Sequence, residues 1–404
     1  MEHLIPNVAP ASIAGVRLAT AAAGVRKAGR VDLCLIEIAP GARVAGVFTR
    51  NVFCAAPVTI ARRHLDEGTP RLLVINSGNA NAGTGQQGFT DAMDVCAAAG
   101  RLLGCDATAV LPFSTGVIGQ RLPAERIVSV LPQAIGALEE SAWESAARAI
   151  MTTDTVPKWA SADVSTSLGT FKVTGIAKGA GMIKPNMATL LAYVATDAPI
   201  PSDELRSLVA RVADRSFNRI TIDGDTSTND SFVLIATGDT RQTPLTESHP
   251  AWPDVVAAVD YVCRELARAI VGDGEGATKL VAVKVSGGRS ENDCLKAAYA
   301  VAESPLVKTA LFASDPNWGR ILAAVGRSGV TELRMEDIRI ALDDYAVIEG
   351  GEPVADYDET ISARIMAKRE FDIRIQIGRG PASAEVLTCD FSFDYVKINA
   401  EYRT

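Results

Sequence analysis

Apolar runs bounded by turn residues alternate with helix-period segments along this chain, and that alternation restricts its fold more than any other feature. The runs at 31–38 and 71–76 are short and typical of strands. Four later segments carry apolar residues at helical spacing, and Pro132 interrupts the second of them. They are Thr90–Leu103, Pro123–Ile150, Pro201–Phe217 and Asp254–Val271. Strands and helices mixed throughout predict an α/β fold in which mixed sheets are layered with helices.

The pattern changes near residue 279. Lys279–Val285 predicts a strand, and Glu291–Ala302 predicts a helix that Ser290 caps. Alternating apolar residues then predict half-buried strands at 338–342, 371–377 and 391–395. We therefore expect a larger domain over residues 1–285 and a smaller C-terminal α/β domain over residues 286–404.

Histidine is scarce, which limits the catalytic chemistry open to the chain. Its 404 residues include three histidines, His3, His64 and His249, and none lies in a recognisable metal or catalytic motif. We therefore expect no metal site and a catalytic base of another type. The net charge of -8, without a block of Lys or Arg, argues against binding of nucleic acids.

The seven cysteines are widely spaced, odd in number and without a CxxC pair. This pattern favours buried, reduced thiols of a cytoplasmic protein over disulfides or a zinc site. The first residues lack the basic and apolar regions of a secretory signal. No apolar stretch approaches the ~18 residues of a membrane span. We expect a cytoplasmic protein that does not cross a membrane.

Two polar segments resemble ligand loops but fail the tests for them. The segment 272–279 lacks the Gly-Lys-Ser/Thr ending of a phosphate loop and follows a predicted helix instead of a strand. The segment 223–230 places Thr228 where a calcium loop needs glycine, and Leu234 follows where it needs glutamate. We interpret this second segment as a polar turn that side-chain hydrogen bonds hold.

The segment Lys178–Val194 joins a loop containing glycine and proline to an apolar, strand-like run, with Thr189 at the junction. One interpretation is structural, with Thr189 as the first hydrogen-bonding residue of a buried strand. The other is catalytic: cleavage of the Ala188–Thr189 bond would free an α-amine that acts as general base for the Thr189 hydroxyl. The unperturbed pKa of such an amine, ~8, lies near working pH. This chemistry needs no histidine.

At these residues the sequence resembles the ornithine acetyltransferases, also called glutamate N-acetyltransferases, of arginine biosynthesis. The resemblance covers essentially the whole chain through many motifs in the family's order. They are Gly46–Asn51, Asn76–Gly83, Ser114–Gly119, Met151–Thr155, Lys178–Thr189, Asp223–Asp230, Asp273–Lys279, Asp315–Arg320 and Asp394–Thr404. The resemblance implies the α/β fold of the DmpA- and ArgJ-like proteins. It also implies autocatalytic cleavage into an α chain of residues 1–188 and a β chain of residues 189–404, with the C-terminal tail returning to the active site.

The same resemblance implies a role for individual positions. Thr189 matches the nucleophile and Ala188–Thr189 the cleaved bond. Thr115 and Gly116 match the oxyanion hole, in which a hydroxyl and a backbone N–H face the developing oxyanion. The matching substrate-binding positions are Thr152 (with Thr153 as the alternative), Lys178, Thr189, Glu275, Asn399 and Thr404. From pattern alone, these residues are also consistent with a turn, a surface lysine and polar loops.

The implied reaction is a ping-pong transfer. Thr189 takes the acetyl group of N2-acetylornithine, ornithine leaves, and the α-amine of glutamate takes the acetyl group to give N-acetylglutamate. A self-processing aminopeptidase or amidase would use the same nucleophile with water as acceptor, and a non-catalytic amino-acid sensor would keep the fold alone. The resemblance implies no cofactor, although acetyl-CoA is a second donor in bifunctional members, and a heterotetramer of two α and two β chains.

Overall fold

The computed structural model describes residues 8–184, 190–241 and 243–401. The chain forms two compact units: the first comprises residues 1–218 and 225–270, and the second comprises residues 219–224 and 271–404. The boundary predicted after residue 285 falls within the strand Leu280–Gly288.

The described part of the first unit contains strands arranged in two sheets. These strands are β1 (Val16–Ala21), β2 (Leu33–Ile38), β3 (Arg43–Phe48), β4 (Leu72–Asn79), β5 (Val110–Val117), β6 (Lys158–Thr166), β7 (Gly169–Lys178), β8 (Leu191–Thr196) and β9 (Ser231–Ala236). The helices that begin in this unit are α1 (Ala56–Glu67), α2 (Gly85–Leu103), α3 (Ala124–Gly136), α4 (Trp143–Ala149), α5 (Ser202–Arg215) and α6 (Trp252–Gly272). The strand order is β1-β2-β4-β5 in one sheet and β3-β9-β8-β7-β6 in the other.

The two sheets of the first unit share an apolar core. Side chains of β1, β2, β4 and β5 cluster there with side chains of β7, β8 and β9, and the rings of Phe113 and Tyr193 meet edge to face at 5.3 Å. Helices α2 and α3 cover the opposite face of the first sheet. A Cβ built on Gly175 of β7 would lie 3.0 Å from Leu266 Cδ1, so α6 packs closely on the second sheet. This helix–sheet–sheet–helix layering confirms the predicted α/β class.

The second unit contains, in its described part, a mixed sheet with its own core. Its strands are β10 (Leu280–Gly288), β11 (Arg339–Leu342), β12 (Tyr345–Glu349), β13 (Glu352–Pro353), β14 (Glu370–Gln376) and β15 (Ala382–Cys389), in the order β13-β12-β11-β14-β10-β15. Its helices are α7 (Glu291–Ala302), α8 (Pro305–Ala313), α9 (Trp318–Gly326), α10 (Glu359–Met366) and α11 (Phe393–Ala400). Apolar side chains of α7, α8 and α9 pack with those of the sheet.

Several elements lie where the sequence predicted them. Helix α7 matches at both ends, and Ser290 Oγ accepts the Asp293 N–H at 3.2 Å as its cap. Strands β2, β10, β11 and β14 also overlap predicted runs, and β10 continues to Gly288, beyond the predicted end at Val285. Strand β4 continues to Asn79, three residues beyond the predicted run at 71–76. The reason is that β5 supplies a parallel partner along this whole length.

Two local predictions were wrong. Pro132 lies inside α3 and does not interrupt it, because a proline removes one N–H donor and a helix can continue around that loss. The helical segment breaks later, at 137–142. Residues 391–395 are not a strand, because Ser392 Oγ accepts the Tyr395 N–H at 3.3 Å and caps α11. The apparent alternation of aromatic residues is therefore a cap followed by a first helical turn.

The cysteines are free thiols, and five of the seven are buried, as predicted. Burial raises the pKa of the Cys96 thiol to about 12. Across the residues that the structure describes, no helix combines the length and apolarity needed to span a bilayer.

Candidate active site

The predicted oxyanion residues lie at the end of β5, where pairing with β4 becomes irregular. Thr115 pairs with both Ser77 and Asn79, and the register shifts after Gly78. Gly116 has a φ of +135°, and a Cβ built there would lie 2.2 Å from the carbonyl carbon of Gly78. Any other residue would therefore have to displace the backbone of β4. Thr115 and Gly116 are half-buried, so part of their surface remains accessible.

Buried amide and hydroxyl groups hold this strand end in place. Asn229 donates from Nδ2 to the carbonyl oxygens of Ala80, at 2.6 Å, and Ser114, at 2.9 Å. Ser114 Oγ donates to Asn76 Oδ1 at 2.6 Å, and Asn76 Nδ2 donates to the carbonyl of Asn79 at 2.8 Å. All five residues are buried. Because a buried acceptor that loses its donor is costly, the network fixes the backbone beside the predicted oxyanion residues.

The start of β8 lies between the end of β7 and the start of β9. Leu191 pairs with Lys178 of β7 on one side and with Ser231 of β9 on the other. The Ser231 N–H donates to the Leu190 carbonyl at 2.8 Å. Lys178 is 8% exposed, so its predicted substrate contact would form in a largely buried place. Ala188 and Thr189, the predicted cleavage bond and nucleophile, lie outside the described residues.

A buried ion pair lies beside Lys178. Asp154 Oδ1 accepts a hydrogen bond from Lys158 Nζ at 2.7 Å, and both side chains are fully buried. The same oxygen accepts the Gly179 N–H at 2.8 Å, and Oδ2 accepts the Thr152 N–H at 3.0 Å. Burial acts to raise the pKa of Asp154, but the ammonium groups of Lys158 and Lys178 hold it well below its ordinary value. Asp154 is therefore an anion at neutral pH.

A second buried carboxyl, Asp230, directly precedes β9, and its pKa is shifted in the opposite direction. The residue is 3% exposed. Burial raises the pKa of Asp230 well above its ordinary value, although a hydrogen bond with Ser227, the charge of Lys178 and a hydrogen bond with Thr49 act to lower it. The preceding residues form the predicted polar turn, in which the Asn229 N–H donates to Ser227 Oγ at 3.1 Å.

In the second unit, the structure brings Glu275 and Asn399 into direct contact. Asn399 Nδ2 donates to Glu275 Oε2 at 2.8 Å, and Glu275 is 7% exposed. Ser392 Oγ donates to the Gly276 carbonyl at 2.6 Å, which ties the cap of α11 to the same loop. Gly276 has a φ of +68°, and a Cβ there would lie 2.5 Å from the Tyr395 nitrogen. The glycine of the rejected phosphate loop thus serves close packing of α11.

The predicted site residues therefore fall into one group in each unit, and a third group lies outside the described residues. The first unit holds Thr115, Gly116, Thr152 and Lys178; the second holds Glu275 and Asn399; and Ala188, Thr189 and Thr404 are not described. Thr152 and Thr153 are both half-buried, so the choice between them stays a prediction. Within the described chain, no three His, Cys, Asp or Glu side chains are placed to hold a metal ion.

Sequence reasoning missed three buried polar residues of this region, which are Asp154, Asn229 and Asp230. Each lies inside a motif that carries the family resemblance, but the local pattern does not distinguish it from its polar neighbours. Their partners are distant in sequence: Asp154 meets Gly179, and Asn229 meets Ala80. A buried role for a polar residue in a turn becomes apparent only when those partners are known.

The chain is similar to known proteins over nearly its whole length. The ArgJ family model matches residues 17–404. The arginine biosynthesis bifunctional protein ArgJ of Methylococcus capsulatus is 53% identical over 393 residues, which cover 97% of this chain and 96% of that protein. The protein of the same name from Neisseria meningitidis serogroup A is 52% identical over 395 residues, which cover 97% and 96%.

Two solved structures are also similar. The arginine biosynthesis bifunctional protein of Bacillus halodurans is 37% identical, with a TM-score of 0.48, over 50% of this chain and 95% of that chain. The ornithine acetyltransferase of Mycobacterium tuberculosis, complexed with ornithine, is 37% identical, with a TM-score of 0.41, over 44% of this chain and 94% of that chain.

Proposed function

The chain belongs to the ArgJ family, and we propose that it moves the acetyl group of N2-acetylornithine to glutamate, giving ornithine and N-acetylglutamate. The observation that carries this proposal is the 53% identity over 97% of the chain with a protein named for arginine biosynthesis. The half-buried end of β5 at Thr115 and Gly116 supports it, because a hydroxyl and a backbone N–H with accessible surface can stabilise the oxyanion of acyl transfer.

Thr189 is the proposed nucleophile, after autocatalytic cleavage of Ala188–Thr189 into chains of residues 1–188 and 189–404. The freed α-amine takes the proton of the Thr189 hydroxyl, and the resulting oxygen attacks the acetyl carbonyl. Support comes from the next residue in the chain, since Ser231, the first residue of β9, donates its N–H to the Leu190 carbonyl just before β8. A nucleophile next to a fixed strand loses little freedom when the substrate binds.

The tetrahedral intermediate carries an oxyanion, which the Thr115 hydroxyl and the Gly116 N–H stabilise in this proposal. One such donor contributes ~3 kcal/mol to the transition state when it is already in position. The buried bonds from Asn229 and Ser114 support this role, because they hold the donors before the substrate arrives. Collapse of the intermediate releases ornithine and leaves acetyl-Thr189. The α-amine of glutamate then attacks this ester through the same oxyanion site.

Both substrates are amino acids, so the same contacts can serve each in turn. In this proposal Lys178 binds the substrate carboxylate, Thr152 is a further substrate contact, and Glu275 binds the side-chain ammonium of ornithine. Asn399 and Thr404 complete the set. The contact between Asn399 and Glu275 supports a shared role for those two residues.

The decisive experiment is Thr189→Ala, followed by intact-mass measurement, N-terminal sequencing and an acetyl-transfer assay. The wild type is expected as two chains, the second beginning at Thr189, and the variant as one uncleaved, inactive chain. Thr69→Ala, at an exposed threonine, is the control and is expected to be cleaved and active. A cleaved and active Thr189→Ala protein would contradict the assignment.

Transfer and hydrolysis are separated by the acceptor. Ornithine release from N2-acetylornithine is expected to be much faster with glutamate than without it, because glutamate resolves acetyl-Thr189. Equal rates would favour an amidase or aminopeptidase. The relatives named bifunctional lead us to propose acetyl-CoA as a second donor, which CoA release in the presence of glutamate tests.

We further propose a heterotetramer of two α and two β chains in the cytoplasm. The seven free cysteines support a reducing compartment. Light scattering is expected to give a mass about twice the 42.5 kDa of the chain, and a mass of 42.5 kDa would contradict the assembly.

A further inference from the structure

We propose that Asp154 is a positioning residue of the acetyl-transfer site, whose carboxylate fixes the backbone that carries the predicted substrate contacts Thr152 and Lys178. This inference rests on the proposed function, which defines the substrate that those contacts hold. Asp154 itself acts through its neighbours and is not a predicted contact.

The carboxylate of Asp154 joins three segments of the first unit. Its Oδ1 accepts hydrogen bonds from the Lys158 ammonium at 2.7 Å and from the Gly179 N–H at 2.8 Å. Its Oδ2 accepts a hydrogen bond from the Thr152 N–H at 3.0 Å. One bond thus anchors the backbone of a predicted contact, and another anchors the residue that directly follows Lys178.

The anchoring of Gly179 fixes the end of β7. Lys178 pairs with Leu191 as the last residue of that strand, and the next peptide N–H is held by Asp154. The backbone of Lys178 is therefore restrained on both sides. Because a contact that is already held in its bound position loses little freedom when the substrate binds, such a restraint strengthens substrate binding and lowers KM.

Lys158 explains how an anion can lie so close to a lysine that binds a carboxylate. It is the first residue of β6, pairs with Ala177 and has a fully buried side chain. Its ammonium balances the charge of Asp154. The carboxylate can then hold backbone N–H groups without competing strongly with a substrate carboxylate for Lys178.

An ion pair with a purely structural purpose would be replaceable by apolar side chains of similar volume. Asp154 differs because both of its oxygens accept backbone N–H groups. An asparagine has one acceptor oxygen and cannot serve both N–H groups, although it has nearly the same shape. This difference separates positioning from simple filling of space.

The test is the double variant Asp154→Asn/Lys158→Met, assayed for transfer from N2-acetylornithine to glutamate. Replacing Lys158 as well avoids an unpaired buried ammonium and protects folding. We expect kcat/KM for N2-acetylornithine to fall about tenfold, with most of the change in KM, because two substrate contacts lose their fixed position. An unchanged KM, or a loss confined to kcat, would overturn the proposal. A lower KM would also overturn the proposal, because it would show that Asp154 affects substrate binding only through its negative charge near Lys178.

Asp32→Asn is the matched control. Asp32 is 1% exposed and likewise uses its two oxygens to accept backbone N–H groups, from Ala23 at 2.8 Å and Val25 at 2.6 Å. It lies in the same unit but anchors neither predicted contact. We expect this variant to lose stability and to keep the wild-type KM. An equal rise of KM in both variants would mean that any buried anchor has this effect, and would overturn the proposal.

Hydrogen exchange of the wild type gives a readout that needs no variant. Ornithine is expected to slow exchange of the Thr152 and Gly179 amides and to leave the Ala23 and Val25 amides unchanged. No slowing at the first pair would contradict positioning. The two proposals fail in different ways: a wild type without transfer refutes the proposed function, whereas a wild type that transfers and a double variant with unchanged KM refute the role of Asp154.

Discussion

Two polar loops flank the start of β8, and the pKa values of their buried carboxyl groups are shifted in opposite directions. The loop 152–157 holds Asp154, whose pKa burial alone would raise but which the ammonium groups of Lys158 and Lys178 keep ionised. The loop 225–230 holds Asp230, whose pKa burial raises despite hydrogen bonds and the charge of Lys178. Both residues are less than a tenth exposed. The degree of burial is therefore not what separates them.

The difference lies in the nearest partner. Asp154 has the Lys158 ammonium at 2.7 Å, and a direct cation reverses the effect of burial. Among the groups that act on the pKa of Asp230, the hydrogen-bond partners Ser227 and Thr49 are neutral, and Lys178 contributes as a neighbouring charge. One loop thus organises the site through a balanced ion pair. The other does so through neutral bonds, such as those from Asn229 to the β5 end.

The largest expected effect comes from breaking the charge balance of the first loop. Asp154→Asn alone leaves the Lys158 ammonium buried without its anion, and we expect a loss of about 3–5 kcal/mol in the free energy of unfolding. Adding Lys158→Met is expected to restore most of it. Urea unfolding of both variants measures this. A double variant no more stable than Asp154→Asn would show that the ion pair is not the source of the loss.

This loop also shows how much of the structure could be predicted from the sequence. The sequence alone predicted the layers, α7 with its Ser290 cap and the loop-to-strand junction after Lys178, because those patterns are local. The family resemblance added Thr115, Gly116 and the substrate positions. Asp154 was missed because its role depends on a bond to Gly179, 25 residues away. The aromatic alternation at 391–395 misled because five residues are too few to separate a strand from a capped helical turn.

The second loop can be tested through Asn229→Ala. Two buried carbonyls, of Ala80 and Ser114, would lose a donor, which we expect to cost about 1–3 kcal/mol of unfolding free energy. The kinetic loss is expected in kcat, because the β5 end would no longer be fixed. Asp154 variants are expected to change KM instead.

The control is Asn51→Ala, which removes a less buried amide bonded to Thr226 of the same loop. We expect it to change the free energy of unfolding by less than about 0.5 kcal/mol. A loss of Asn229→Ala activity confined to KM would remove the distinction between the loops.

The pH dependence of stability is the effect whose sign differs between the loops. The ordinary pKa is 3.8 for both carboxyls. The pKa of Asp154 is lowered in the folded protein. Its contribution to stability is therefore present above pH 3.8 and is lost as the pH falls toward the folded-state pKa. Asp230 has a raised pKa when folded, so the unfolded chain ionises first and stability declines as the pH rises from 3.8 through the folded value.

Asp230→Asn should therefore gain stability over the wild type as the pH is raised from below 3.8 to neutrality, with little difference at the acid end. Urea unfolding at a series of pH values measures the difference, and Asp154→Asn/Lys158→Met serves as the contrast because it removes a contribution of opposite slope. Asparagine keeps one acceptor oxygen for the groups that donate to Asp230 and cannot ionise, so the change of this difference with pH reports the removed ionisation. A difference that stays flat with pH, or that shrinks toward neutrality, would mean that Asp230 is ionised in the folded protein. The two loops would then organise the site by the same means.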